Sequence, residues 1–156
     1  PVDRLITALK YTHKIEYGRL LGELLAIRVH EQIREHNFAM PDVIVPVPLH
    51  PRRLLRRGFN QAAEIARWVA REHRLPVMTG IVRRIRHTPA QAGLSRRARA
   101  GNVHNAFRLN GDVSGQRVAL LDDVVTTAAT TRELAGLLKQ SWAVEVQVWA
   151  VARSIH

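Results

Sequence analysis

Between Val118 and Thr130 the chain reads VALLDDVVTTAAT, and no other segment limits the possible folds so strongly. The apolar run Val118 to Leu121 has no polar face to offer solvent, so it reads as a strand buried on both sides. The predicted strand spans Gln116–Leu121 and ends in Asp122-Asp123. A turn of small and hydroxyl-bearing residues follows. Thr126–Gln140 then reads as a helix with Leu134, Leu137 and Leu138 inward, and Ala143–Ala152 alternates Val144, Val146, Val148 and Ala150 as a second strand. Strand, helix and strand in this order imply a parallel pair joined by a crossover helix, hence an α/β domain. Ligands of such sheets sit beyond the carboxyl ends of the strands.

The chemistry of the segment agrees with that position. A helix N-terminus at Thr126-Thr127-Ala128-Ala129-Thr130 presents backbone N–H groups, hydroxyls add donors, and small side chains let a phosphate approach the backbone. Asp122 and Asp123 repel that phosphate. They suit instead the hydroxyls of a diol such as a ribose, or a divalent metal held directly or through water. The alternative is plain helix capping by the aspartates and threonines. A GxxxxGK[ST] phosphate loop is absent, which excludes that class of nucleotide hydrolase.

Upstream, Asp3 to about Tyr17 has helical spacing, and a second helix follows Gly18 and ends near His36-Asn37. Val43-Ile44-Val45-Pro46-Val47-Pro48 reads as a buried strand leading into a loop, the second loop at a strand end. Phe59–His73 is helical, with Ala62, Ile65, Ala66 and Val69 on one face, and Pro76–Ile85 reads as a strand. Residues 86–105 lack an apolar period and read as a mobile excursion with room for one helix. Trp68, Trp142 and Trp149 fall on helix or strand patterns and are assigned to the core.

Charge separates the chain into thirds. Residues 1–50 and 101–156 are each neutral, whereas residues 51–100 hold 13 arginines against 2 acids, the whole of the net +11. A local anionic partner is implied, although a solvated basic face and a genome-wide arginine bias give the same count. The chain has no Cys, so disulfides and thiolate metal sites are excluded. No apolar run approaches about 18 residues and no signal-peptide pattern opens the chain, so the expectation is a cytoplasmic protein without a membrane span.

VALLDDVVTTAAT resembles the phosphoribosyl pyrophosphate (PRPP) motif of type I phosphoribosyltransferases. Val43–Ala62 (VIVPVPLHPRRLLRRGFNQA), Ile85–Phe107 (IRHTPAQAGLSRRARAGNVHNAF) and Arg4–Tyr11 (RLITALKY) are similar to the competence protein F (ComF) family, so the resemblance covers nearly the whole chain. It implies a type I phosphoribosyltransferase-like α/β fold, a mainly parallel sheet flanked by helices with a small hood, over 1–156 as one domain. It further implies that Asp122 and Asp123 hold the ribose hydroxyls and assist Mg2+. Val124, Thr126, Thr127, Ala128, Ala129 and Thr130 would hold the 5′-phosphate. The loop Val47, Pro48, Leu49, His50 would face the pyrophosphate with Arg52 or Arg53, and the Arg96–Arg99 region, Arg97 included, would close over PRPP. His50 and His87 are the candidates for proton transfer or pyrophosphate contact.

Two positions depart from the family. Ala128 stands where the family usually has Gly, which is costly if the turn needs a positive φ and nearly free if it is helical. Members of the family often open with a Cys-rich zinc module, whereas this sequence opens at Pro1 without Cys, as either a shortened piece or a short member of the family would. The implied function is a Mg2+-dependent phosphoribosyltransferase of unknown acceptor associated with competence and DNA uptake. The alternative is a non-catalytic PRPP-sensing or single-stranded-DNA-binding module acting with competence DNA-processing proteins. One PRPP needs only two or three of the arginines, and the surplus favours a polyanion bound through its backbone. Phe59 and Phe107 beside it read as core, so base stacking has no support.

Overall fold

A computed structural model describes Ile6 and residues 16–86, 105–125 and 128–153. The elements in chain order are α1 (Glu16–His36), β1 (Val43–Pro46), α2 (Pro51–Arg57), α3 (Gln61–His73), β2 (Val82–Arg84), β3 (Phe107–Leu109), β4 (Arg117–Val125), α4 (Ala129–Gln140) and β5 (Glu145–Arg153). β1, β4 and β5 form a parallel sheet in the order β1-β4-β5, and β2 pairs with β3 in a separate antiparallel ladder. The expected α/β class and parallel sheet are therefore observed. The helix expected over Asp3–Tyr17 lies outside the described residues save for Ile6, Glu16 and Tyr17.

Helices cover both faces of the sheet. On one face α1 and α3 bring Leu21, Leu25, Val29, Ile65, Ala66 and Val69 against Ile44, Ala119, Leu121 and Trp149. On the other, α4 brings Leu134 and Leu138 against Val43, Val45, Val118 and Leu120. The apolar run of β4 thus divides by alternation between two cores, as a strand buried on both sides requires. Leu120 and Leu121 are wholly buried, and each contributes about 1.5–3 kcal/mol by leaving water. Close packing of α1 on α3 depends on glycine. A Cβ on Gly22 would lie 2.5 Å from Cβ of Trp68. Gly18, one turn earlier, is buried inside α1 rather than marking its start.

Four expectations are corrected. The strand read over Pro76–Ile85 is two pieces. Val77 lies parallel to β1, with Ile44 N–H donating to Pro76 O at 2.9 Å and Met78 N–H to Ile44 O at 2.9 Å. Gly80 then takes φ +81 and turns the chain into β2. The loop after β1 holds a short helix, α2, opened by Pro51 and closed by Gly58 at φ +77. β4 does not stop at Leu121: β5 supplies partners as far as Val125, so both aspartates lie within the strand. Trp142 is not core. It is 81% exposed at φ +67, in the turn after α4, where its backbone bonds Lys139 and Gly115 while its indole points to solvent. Trp149 is buried as expected, and Trp68 is half-buried between Arg19 and Arg71. No described helix is long and apolar enough to cross a membrane.

Candidate functional site

The parallel register sets the carboxyl end of β1 beside the middle of β4, just before its aspartates. Pro46 lies opposite Leu121, and Val47 N–H donates to Leu121 O at 2.8 Å. The loop from Val47 to His50 therefore leaves β1 beside the point where β4 carries its aspartates. Two side chains pin that loop. Asn60 caps α3 by accepting from Ala62 N–H at 3.1 Å, and its amide donates to Val47 O at 3.0 Å. His50 caps α2, its Nδ1 accepting from Arg52 N–H at 3.2 Å. A ring whose Nδ1 accepts carries its proton on Nε2.

The two aspartates stand on opposite faces of β4. Successive strand residues face opposite sides. Asp123 is buried, and its N–H donates to Asp122 Oδ1 at 2.9 Å. Asp122 lines a small cup of about 30 Å³ with Val124, Val125, Ala128, Ala129, Thr130 and Thr131. Ala128, which caps α4, has φ 55 and ψ 10 with no side-chain cap bond. The costly alternative at this position is thus the real one: an alanine occupies a left-handed turn. Thr131 is buried and spends its hydroxyl on Ala128 O at 3.1 Å. Thr126 and Thr127, expected in the cup, lie outside the described residues, as do His87, Arg96, Arg97 and Arg99.

The sequence reading of the site passed over Arg84. It stacks on the Phe107 ring at 5.5 Å and is half-buried. Burial and the neighbouring Arg53 push its pKa below the ordinary arginine value, while Asp122 pulls it back up. Arginine stays protonated through such a shift. Two guanidiniums are thus gathered beside one carboxylate in a partly desolvated corner, which favours an anion. Arg84 follows Val82 at period two, so the buried Val82 takes Arg84 to the inner face. That spacing was the signal available in the sequence. Of the two arginines expected after the loop, Arg53 is half-buried toward this corner and Arg52 is exposed. Pro46, Pro48, Leu49, His50 and Arg84 also line an adjoining cleft of about 740 Å³.

No protein-family model matches the chain. It is 38% identical over 157 residues to Competence protein F of Haemophilus influenzae, covering 99% of this chain and 69% of that protein. It is 39% identical over 155 residues to the DNA utilization protein YhgH of Escherichia coli, covering 99% and 68%. Among solved structures, glutamine phosphoribosylpyrophosphate (PRPP) amidotransferase from B. subtilis matches with TM-score 0.55 at 22% identity, over 86% of this chain and 26% of that one. A Trypanosoma cruzi hypoxanthine phosphoribosyl transferase matches with TM-score 0.53 at 14% identity, over 91% and 76%. The fold is that of the type I phosphoribosyltransferases.

Proposed function

The chain belongs to the competence protein F family, and on that premise we propose that it binds PRPP with Mg2+ and transfers the phosphoribosyl group to an acceptor in the handling of DNA. One observation carries the reading. Asp122 and Arg53 both act electrostatically on the half-buried Arg84, and Asp122 stands one residue beyond the level where β1 ends, lining the cup at Ala128.

In this reading the turn at Ala128–Thr130 takes the 5′-phosphate at the start of α4. Asp122 accepts from the ribose hydroxyls. Arg53, Arg84 and the His50 loop face the pyrophosphate and stabilise the charge that it gains on leaving. A nitrogen of the acceptor bonds to C1, the bond from C1 to the pyrophosphate oxygen breaks with its electron pair, and the acceptor's proton passes to water. Among the described residues no three His, Cys, Asp or Glu side chains gather as a metal site. Asp122 alone fits a Mg2+ that brings its remaining ligands as phosphate oxygens and water. When bound, that ion would neutralise pyrophosphate charge. The buried Asp123 stands on the opposite face of β4.

Calorimetry with PRPP and Mg2+ tests the reading. Binding by the wild type that is lost in Asp122→Asn and weakened in Arg84→Gln is expected. Unchanged binding in Asp122→Asn would overturn the site. A second reading, a single-stranded-DNA module without catalysis, draws on the ten arginines of the described residues between Arg52 and Arg86. Oligonucleotide affinity would then fall steeply with salt while PRPP turnover is absent.

A further inference from the structure

We propose that the acceptor side of this site is built for a nucleotide, a ligand with an aromatic body and its own phosphate, and that this phosphate sits on the cross-strand pair Arg83–Arg108. The inference rests on the phosphoribosyl reading and names the acceptor class that it leaves open.

Arg83 of β2 stands directly opposite Arg108 of β3. Residues so paired share one face of the ladder with Cβ atoms about 5 Å apart, and like charges there are destabilising. Both side chains are exposed, and neither forms an ion pair with a described carboxylate. Arg84 turns to the other face, toward Arg53 and Asp122. β2 therefore carries one cation toward the pyrophosphate side and a second, doubled by Arg108, away from it. The first is explained by PRPP. The second is a repulsive arrangement that an added anion relieves.

The adjoining cleft has matching chemistry. Its volume of about 740 Å³ is that of a site for an extended small molecule. Leu54 and Ile85 line it while remaining 42% and 49% exposed, an apolar floor without a cover among the described residues. Its one carboxylate, Glu64, is held by Arg67 at 2.5 Å. Arg83 and the His50 loop both line it, and Arg108 lies outside the lining, across the ladder from Arg83, so a ligand in the cleft meets the arginine pair through Arg83. A neutral base would fill part of the floor and leave the pair without a counterion. A nucleotide satisfies both.

The full chain is titrated with AMP, adenosine and 5′-phosphorylated oligo(dA), each with ribose 5-phosphate saturating the cup at Ala128. AMP is expected to bind at least about tenfold more tightly than adenosine, the scale of one charge-assisted contact. Arg83→Gln/Arg108→Gln should abolish that difference, leave ribose 5-phosphate affinity unchanged and raise the Tm, since a repulsion is removed. Equal affinity for AMP and adenosine, displacement of AMP by ribose 5-phosphate, or an unaltered double variant would each overturn the proposal. Tighter binding of the oligonucleotide than of AMP identifies a strand end as the source, and the reverse a free nucleotide. Failure of ribose 5-phosphate to bind counts against the phosphoribosyl reading, whereas the AMP comparison and the double variant still decide the arginine pair.

Discussion

Ala128→Gly should stabilise this protein, although the same exchange in a helix interior does the opposite. Ala128 holds φ 55 and ψ 10, where its Cβ crowds the following carbonyl and costs about 1–2 kcal/mol. Glycine removes that strain but adds unfolded-chain entropy worth about 0.4–1 kcal/mol. The balance is a gain of about 0.5–1 kcal/mol, or about 1–4 °C in Tm for a chain of this size. Urea denaturation should show a higher midpoint at unchanged slope. Ala135→Gly, in the body of α4, is the control and should lose up to about 1 kcal/mol. Removing the Ala128 methyl also opens the backbone to a phosphate, so ribose 5-phosphate should bind more tightly to the variant. A Tm that falls, or falls as far as in Ala135→Gly, would refute the claim that the turn is strained.

Gly22→Ala should destabilise by about 1–3 kcal/mol, because the new Cβ meets the Trp68 Cβ and the Ile65 carbonyl between α1 and α3; thermal melts check this. Asn60→Ala removes the cap of α3 and the tether to Val47 O, and should cost about 1–2 kcal/mol while weakening PRPP binding through the displaced loop. Asp112 accepts from the backbone and hydroxyl of Ser114, and these bonds hold its pKa below the ordinary 3.8. Its contribution to stability is present above that value and lost as pH falls through the lowered pKa. Asp112→Asn should therefore flatten the acid limb of the stability curve below about pH 4, and an unchanged limb would contradict this.

The α/β class and the parallel arrangement were legible because each rests on short-range pattern. VALL buries on both faces wherever it is placed, and the small residues after it can only open a helix or a turn. The caps Asn60 and His50 were not legible as such, since Asn60 fell inside the helix read over Phe59–His73 and no helix was read after His50. What escaped reading depends on partners distant in sequence. Val77 and Val82 belong to one apolar stretch, yet one pairs with Ile44 and the other with Leu109. Asp122 and Asp123 looked like twin acids because β4 was expected to end before them. Pairing with β5 prolongs the strand and turns them to opposite faces. Alternation with Val82 separates Arg84 from Arg83 in the chain, but only the ladder with β3 sets Arg83 opposite Arg108 and leaves Arg84 to Asp122. The sign of φ at Ala128 belongs to the same group. Local periodicity determined which segments fold and which ends carry chemistry. Strand pairing across dozens of residues decided the direction of each charge, since one step along a strand reverses the face on which a side chain stands.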